Sequence, residues 1–198
     1  MIDSEFEQLI DGLMEQGYGV SDRFLLPATV AGLRENLLRH YESGEMKPAG
    51  IGKKQDFQRD TRVRGDVIRW IEPATADPHE RTLYDKIDRF IAYLNRTCYT
   101  GLSDSEFHYA YYPPGSFYKR HIDQFRSDSG RKYSLVIYLN ENWQPDEGGE
   151  ISLYGKEEVR LLPLAGRAVF FQSDKLEHEV HPSPERFRMS IAGWLKTR

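Results

Sequence analysis

The chain opens in a helical rhythm. Phe6, Leu9, Ile10, Leu13 and Met14 fall at i, i+3, i+4, i+7 and i+8, the spacing that lines up one face of a helix. Gly17 or Gly19 would end it, since glycine takes the left-handed closing turn at no steric cost. Tyr18 to Leu26 reads as a short strand, and Pro27 suits the first turn of a second helix. That helix carries Val30, Leu33, Leu37, Leu38 and Tyr41 on one side, and Gly44 closes it. The pattern breaks at Lys47 and returns as a strand over Val67–Glu72. A third helix is predicted over His79–Asn95, with Leu83, Ile87, Phe90, Ile91 and Leu94 as its apolar face. Cys98, just beyond, reads as a small buried hydrophobe.

From Glu106 the texture changes to alternation and turns. The spacing predicts strands over Phe107–Tyr112, Phe117–Ile122, Tyr133–Asn140, Glu150–Tyr154, Glu158–Leu162, Ala168–Gln172, Glu177–His181 and Phe187–Leu195. Short strands at this spacing indicate a sandwich or barrel. The expected fold is mainly β with supporting helices (α+β), in one domain spanning 1–198. Its helical, flap-bearing part would be 1–104 and its β core 105–198.

Composition narrows the function. The 198 residues are 39% hydrophobic, enough for a packed core. A net charge of −4 argues against a globally basic nucleic-acid binder. A single cysteine excludes an intrachain disulfide and a cysteine zinc cluster. The first residues are acidic with no apolar run behind them, so no signal peptide is expected. No stretch is apolar enough to span a membrane, and a cytoplasmic protein is expected. Between Lys47 and Arg69, seven Lys or Arg stand against three Asp. This is either a solvated loop or a flap that meets a polypeptide partner.

The candidate chemistry starts at His121-x-Asp123. On a strand, residues two apart share a face, so the imidazole and the carboxylate reach one point. Two histidines and a carboxylate, with other positions open, form the recurring site of non-haem Fe(II) oxygenases. His178 is the candidate third ligand. His181 is its rival; three residues apart on a strand, the two point to opposite faces. Arg188 and Ser190 share a face with Ala192 and Trp194. A guanidinium there could bind a carboxylate bidentately, or Met189 and Ile191 could face inward and leave Arg188 in solvent. Alternation does not choose.

The set Tyr112-Pro113, Tyr118-x-Arg120-His121-x-Asp123, Tyr138-Leu139-Asn140-x-x-Trp143, Gly148-Gly149, Phe170-Phe171-x-Ser173-Asp174, His178-Glu179-Val180 and Arg188 resembles the 2-oxoglutarate- and Fe(II)-dependent prolyl hydroxylases. It is most similar to the branch of the animal hypoxia-sensing enzymes and their bacterial relatives. Arg64-Gly65-Asp66-x-Ile68-x-Trp70-Ile71-Glu72 matches that branch too. The resemblance implies a double-stranded β-helix, a jelly-roll or cupin-like core. It implies Fe(II) on His121, Asp123 and His178. It implies 2-oxoglutarate held by Arg188 and Tyr138 in a pocket lined by Tyr112 and Ser190, with O2 consumed, succinate and CO2 released, and ascorbate as an accessory reductant. It sets Arg131 and Trp194 at the substrate entrance, and the residues themselves offer Val136, Phe170 and Trp194 as apolar walls that could keep the oxidant from water. Arg64 and Asp66 would either pair with each other to hold the flap or contact substrate. The implied partner is a polypeptide with a target proline, and bacterial-looking relatives carry with them a translation elongation factor as candidate. Two alternatives stand beside it: a small-molecule hydroxylase acting on a free amino acid, and a catalytically silent cupin-like metal-binding protein.

Overall fold

The computed structural model describes residues 4–50, 62–124 and 130–197. The flap expected over Lys47–Asp66 therefore lies largely outside the described residues, at 51–61. Three helices, α1 (Ser4–Gln16), α2 (Pro27–Glu42) and α3 (Pro78–Cys98), accompany a set of strands. These are β1 (Tyr18–Ser21), β2 (Lys47–Pro48), β3 (Val67–Trp70), β4 (Asp104–Tyr112), β5 (Tyr118–His121) and β6 (Arg131–Tyr138). They continue with β7 (Ile151–Tyr154), β8 (Glu158–Leu161), β9 (Ala168–Gln172), β10 (Glu177–Val180) and β11 (Arg188–Lys196). All eight strands expected after Glu106 are present, shifted by at most three residues at an end.

The strands form two antiparallel sheets. The major one has the order β1-β9-β6-β11-β4-β3-β2 and the minor one β5-β10-β7-β8. The major sheet is buried on both faces, and alternation along its strands sorts the side chains. Phe107, Tyr109, Leu135, Ile137, Phe170, Met189 and Ile191 point one way, into a core with Phe6, Leu33, Leu83, Ile87 and Phe90 of the helices. Val136, Tyr138, Val169 and Phe171 point the other way, against Ile151 and Leu153 of the minor sheet. The result is a double-stranded β-helix backed by helices on one side. Each large apolar side chain in these layers contributes about 1.5–3 kcal/mol relative to exposure.

α3 begins one residue earlier than the apolar stripe shows, because Asp77 caps it. The Asp77 carboxylate accepts from the His79 and Glu80 amides at 2.8 and 2.9 Å, and Glu80 accepts from the Asp77 amide at 2.9 Å. It also runs on to Cys98, past the edge of the core. Arg96, Thr97, Cys98 and Tyr99 are all exposed, so the expected burial of Cys98 is not found. The strand expected over Tyr18–Leu26 stops at Ser21. Asp22 turns outward to Arg167, while Phe24 and Leu25 both enter the helix-side core, which alternation cannot accommodate. The two-residue edge strand β2, paired to Val67 and Ile68, has no sequence signal; its Pro48 is tolerated only at such an edge.

Candidate active site

The minor sheet carries the candidate metal-ligating side chains. β5 and β10 pair so that His121 and His178 lie directly opposite each other, and their rings stand 4.1 Å apart. Asp123 follows β5 by two residues. Its Oδ1 lies 3.5 Å from His121 Nε2 and 3.7 Å from His178 Nε2, and one ligand atom from each of the three falls within 4.8 Å of the others. The orientation is set from behind. The Nδ1 atoms of His121 and His178 face the Lys119 and Leu176 carbonyls at 2.7 and 3.3 Å, which favours Nδ1–H and leaves both Nε2 atoms to a metal. The Ser134 hydroxyl donates to Asp123 Oδ2 at 2.7 Å and meets Ser173 Oγ at 2.9 Å. Tyr118 stacks on His121 at 3.5 Å, and Phe171 packs 4.8 Å from His178. His181 points elsewhere, with its Nε2 2.7 Å from Ser152 Oγ.

Electrostatics favour the forms of Asp123 and His178 that could bind a metal. Burial alone would raise the Asp123 carboxyl, but His178, His121 and the Ser134 hydroxyl outweigh it and hold it well below the usual carboxylate range. Burial, opposed by Asp123, pushes His178 down to about 4. A deprotonated carboxylate and a neutral imidazole are what a divalent cation binds.

The major sheet supplies the opposite wall. The even residues of β11 face the cavity and the odd residues face the helices, which resolves the choice that alternation left open. Arg188 is 3% exposed, lies 4.9 Å above the rings of both Tyr112 and Tyr138, and has no hydrogen-bond partner for Nε. The Tyr138 hydroxyl beside it is buried and equally unpartnered. Burial raises the hydroxyls of Tyr112 and Tyr138, so both stay protonated and able to donate. A buried guanidinium next to an orphaned hydroxyl fits an incoming carboxylate. Gly148 and Gly149 sit at φ +68° and +74°, and a Cβ at Gly149 would meet Trp143 at 2.8 Å and Arg188 at 3.6 Å. The glycine pair thus leaves room for the Trp143 ring and the Pro182 carbonyl beside the arginine.

A cavity of about 340 Å³ joins the two walls, lined among others by His121, Asp123, His178, Arg188, Ser190, Val136 and Trp194. Tyr138 lies just behind this lining, in the core between the sheets. Phe170, expected as a wall, packs among the helices instead; its neighbour Phe171 has the parity that reaches His178. At the mouth, Arg131 stacks on Trp194 at 3.4 Å and is paired with Glu106 at 2.8 Å. Arg64 and Asp66 form a bidentate pair at 2.7 and 2.6 Å, and Arg64 also covers Tyr118 at 4.2 Å. Of the two roles open to Arg64 and Asp66, the internal ion pair is thus present, while Arg64 itself borders the cavity. Sequence reasoning missed His108 and Ser134. His108 stands two and four residues from Ala110 and Tyr112 on one strand, so its parity was readable. Ser134 has a signal only as the residue two before Val136.

Comparison with known proteins agrees with this geometry. The model of the 2OG-Fe(II) oxygenase superfamily matches residues 107–196. The structure of a Pseudomonas putida prolyl-4-hydroxylase is 34% identical, with a TM-score of 0.87 over 98% of this chain and 99% of that one. A prolyl hydroxylase from Trichoplax adhaerens, in complex with a hypoxia inducible factor oxygen degradation domain peptide fragment, is 28% identical, with a TM-score of 0.85 over 96% and 88%. The prolyl 3-hydroxylase OGFOD1 of Mus musculus is 32% identical over 77 residues, which is 33% of this chain. The chain spans only 14% of that relative's length. Among the described residues, no helix is long and apolar enough to cross a membrane. From the cluster of candidate metal ligands, the buried arginine opposite it and the match over nearly the whole of both chains, the chain belongs to the 2-oxoglutarate- and Fe(II)-dependent oxygenases, among the prolyl hydroxylases.

Proposed function

We propose that this chain hydroxylates a prolyl residue of a polypeptide, with Fe(II) on His121, Asp123 and His178 and the distal carboxylate of 2-oxoglutarate on Arg188 and Tyr138. The observation that supports this most is one cavity with a candidate three-ligand cluster on one wall and, on the other, a buried guanidinium whose Nε lacks a hydrogen-bond partner. When bound, Fe(II) with 2-oxoglutarate and O2 supplies the oxidising chemistry that places one oxygen atom on a substrate C–H bond and leaves succinate and CO2.

The residues orient and enclose that chemistry. Arg188 offers a bidentate fork, Tyr138 and Tyr112 add hydroxyl donors, and Ser190 borders the same end. Ser134 fixes the rotation of the Asp123 carboxylate. Val136, Ile151 and Val180 keep water from the reacting centre. The aromatic mouth, with Trp70 and Trp194, suits an apolar prolyl ring. Arg131 holds Trp194 in place, and the Arg64–Asp66 pair braces the entrance from the flap side. A translation elongation factor is the candidate target.

The test has two stages. Anaerobic addition of 2-oxoglutarate to the Fe(II) protein should produce a weak visible charge-transfer band, lost in His178→Ala. Prolyl peptides, and then purified elongation factor, should gain one oxygen mass with matching succinate. A band without any peptide oxidation, together with oxidation of free proline, would move the assignment to small-molecule hydroxylation. Metal binding without the band would leave the silent metal-binding alternative.

A further inference from the structure

Buried polar atoms without hydrogen-bond partners occur around the cavity in two groups. Arg188 Nε and Tyr138 Oη form the first, at the end assigned to the cosubstrate. His108 Nδ1 and Trp194 Nε1 form the second. The register separates them. On β4 and β11, Tyr112 faces Arg188, Ala110 faces Ser190, His108 faces Ala192, and Glu106 faces Trp194. His108 therefore stands four residues along the strand from the cosubstrate end, roughly 13 Å at strand rise, on the way to the mouth.

Its surroundings are aromatic. His108 lines the cavity and is 5% exposed. It packs edge-on against Trp70 at 4.9 Å and, tilted, against Trp194 at 5.5 Å. The mouth's charges are committed to one another: Arg131 and Lys196 to Glu106, and Arg64 to Asp66. What remains for recognition is neutral. The Trp194 indole only donates, and a neutral imidazole donates through one nitrogen. Burial foremost holds His108 at about 4, so it is neutral at pH 7. A prolyl residue has no backbone N–H, whereas the carbonyls before and after it are free acceptors. A site for such a segment needs donors, and leaving a buried polar group unpaired costs about 1–3 kcal/mol.

We infer that His108 and Trp194 together bind a backbone carbonyl flanking the target prolyl ring, making His108 a substrate-binding, specificity-determining residue. This rests on the prolyl-polypeptide reading above.

The probe is a pool of capped pentapeptides with a central proline, from which the best-hydroxylated sequence is resynthesised with a thioamide, a poorer acceptor, at the bond before or after the proline. Binding is measured anaerobically with Fe(II) and 2-oxoglutarate present. Wild type should bind one of the two thioamides roughly 3- to 10-fold more weakly than the parent, the range of one net hydrogen bond. In His108→Met the parent should weaken, and the gap between parent and thioamide should narrow to what the Trp194 donor alone supports. His108→Asn, which keeps a donor, should recover part of the discrimination and guards against a fold defect in the first variant. The 2-oxoglutarate band should be unchanged in both. Full discrimination in His108→Met, or none in wild type, overturns the inference alone. If wild type hydroxylates no peptide of the pool, the prolyl-polypeptide reading falls and takes this inference with it.

Discussion

Replacing Arg188 by methionine separates cosubstrate binding from folding, because the two should move differently. The side chain is 3% exposed, and no carboxylate among the described residues pairs with it. Taking away one partner of a buried, hydrogen-bonded ion pair costs about 3–5 kcal/mol. At about 1.4 kcal/mol per decade, 2-oxoglutarate affinity should fall roughly 10²- to 4 × 10³-fold. Fe(II) affinity should stay within a few-fold, since the ligands sit on the opposite sheet. The cosubstrate-free protein should lose no stability, because an apolar side chain of similar length replaces a buried cation that lacks a counter-charge. The assay is an anaerobic titration of the Fe(II)–cosubstrate absorption band, with thermal unfolding in the absence and presence of 2-oxoglutarate. Wild type should be stabilised by about 2.7 kcal/mol at one hundred times its dissociation constant; Arg188→Met at the same concentration should not. Unchanged cosubstrate affinity would refute the assignment. So would a large loss of stability without ligand, which would show that the guanidinium holds the fold together.

Three further outcomes are expected. His178→Ala should abolish iron binding and turnover, whereas His181→Ala, which removes a ring bonded to Ser152, should leave metal titration largely unchanged. Ser134→Ala should weaken iron binding by roughly 10- to 100-fold through loss of its bond to Asp123, measured by competition with a chelator. In metal-free protein, His178 and His108 are both held at about 4, against roughly 6.5 when unfolded. Unfolding therefore takes up protons between these values. Their contribution to stability is present in full above about pH 6.5 and is lost as pH falls toward 4, by roughly 2 kcal/mol per histidine between pH 7 and 5. Urea unfolding at those two pH values should show the drop, smaller in His108→Met; a flat profile would contradict it.

The strands were legible because a two-faced sheet imposes a period of two, and turns with glycine or proline mark their ends. The same property hid the orientation of β11. Met189 and Ile191 enter the helix-side core while Arg188 and Ser190 enter the cavity, so both faces are buried and polarity alone names neither as inward. Phe170 and Phe171 posed the same problem in apolar form. His121, Asp123 and His178 were readable as residue types, but what orients them was not. Ser134 reaches Asp123 only because the chain crosses from the minor sheet at β5 to the facing major sheet at β6, and short-range spacing carries no trace of that. Cys98 was misplaced because a helix can outrun the core it packs on.

The two-sheet construction also makes the protein a gauge of length. With the proposed roles, iron would be held on the minor sheet through His121 and His178, and the arginine that would take the far carboxylate stands on the major one. A keto diacid would then have to bridge the gap, with one end fixed on each side. That gap is set in part by Leu153, Val169 and Phe171, packed between the sheets behind the cavity lining. Shaving or thickening that filling would change which diacid length fits, so the choice of cosubstrate would be written partly in residues that never meet it.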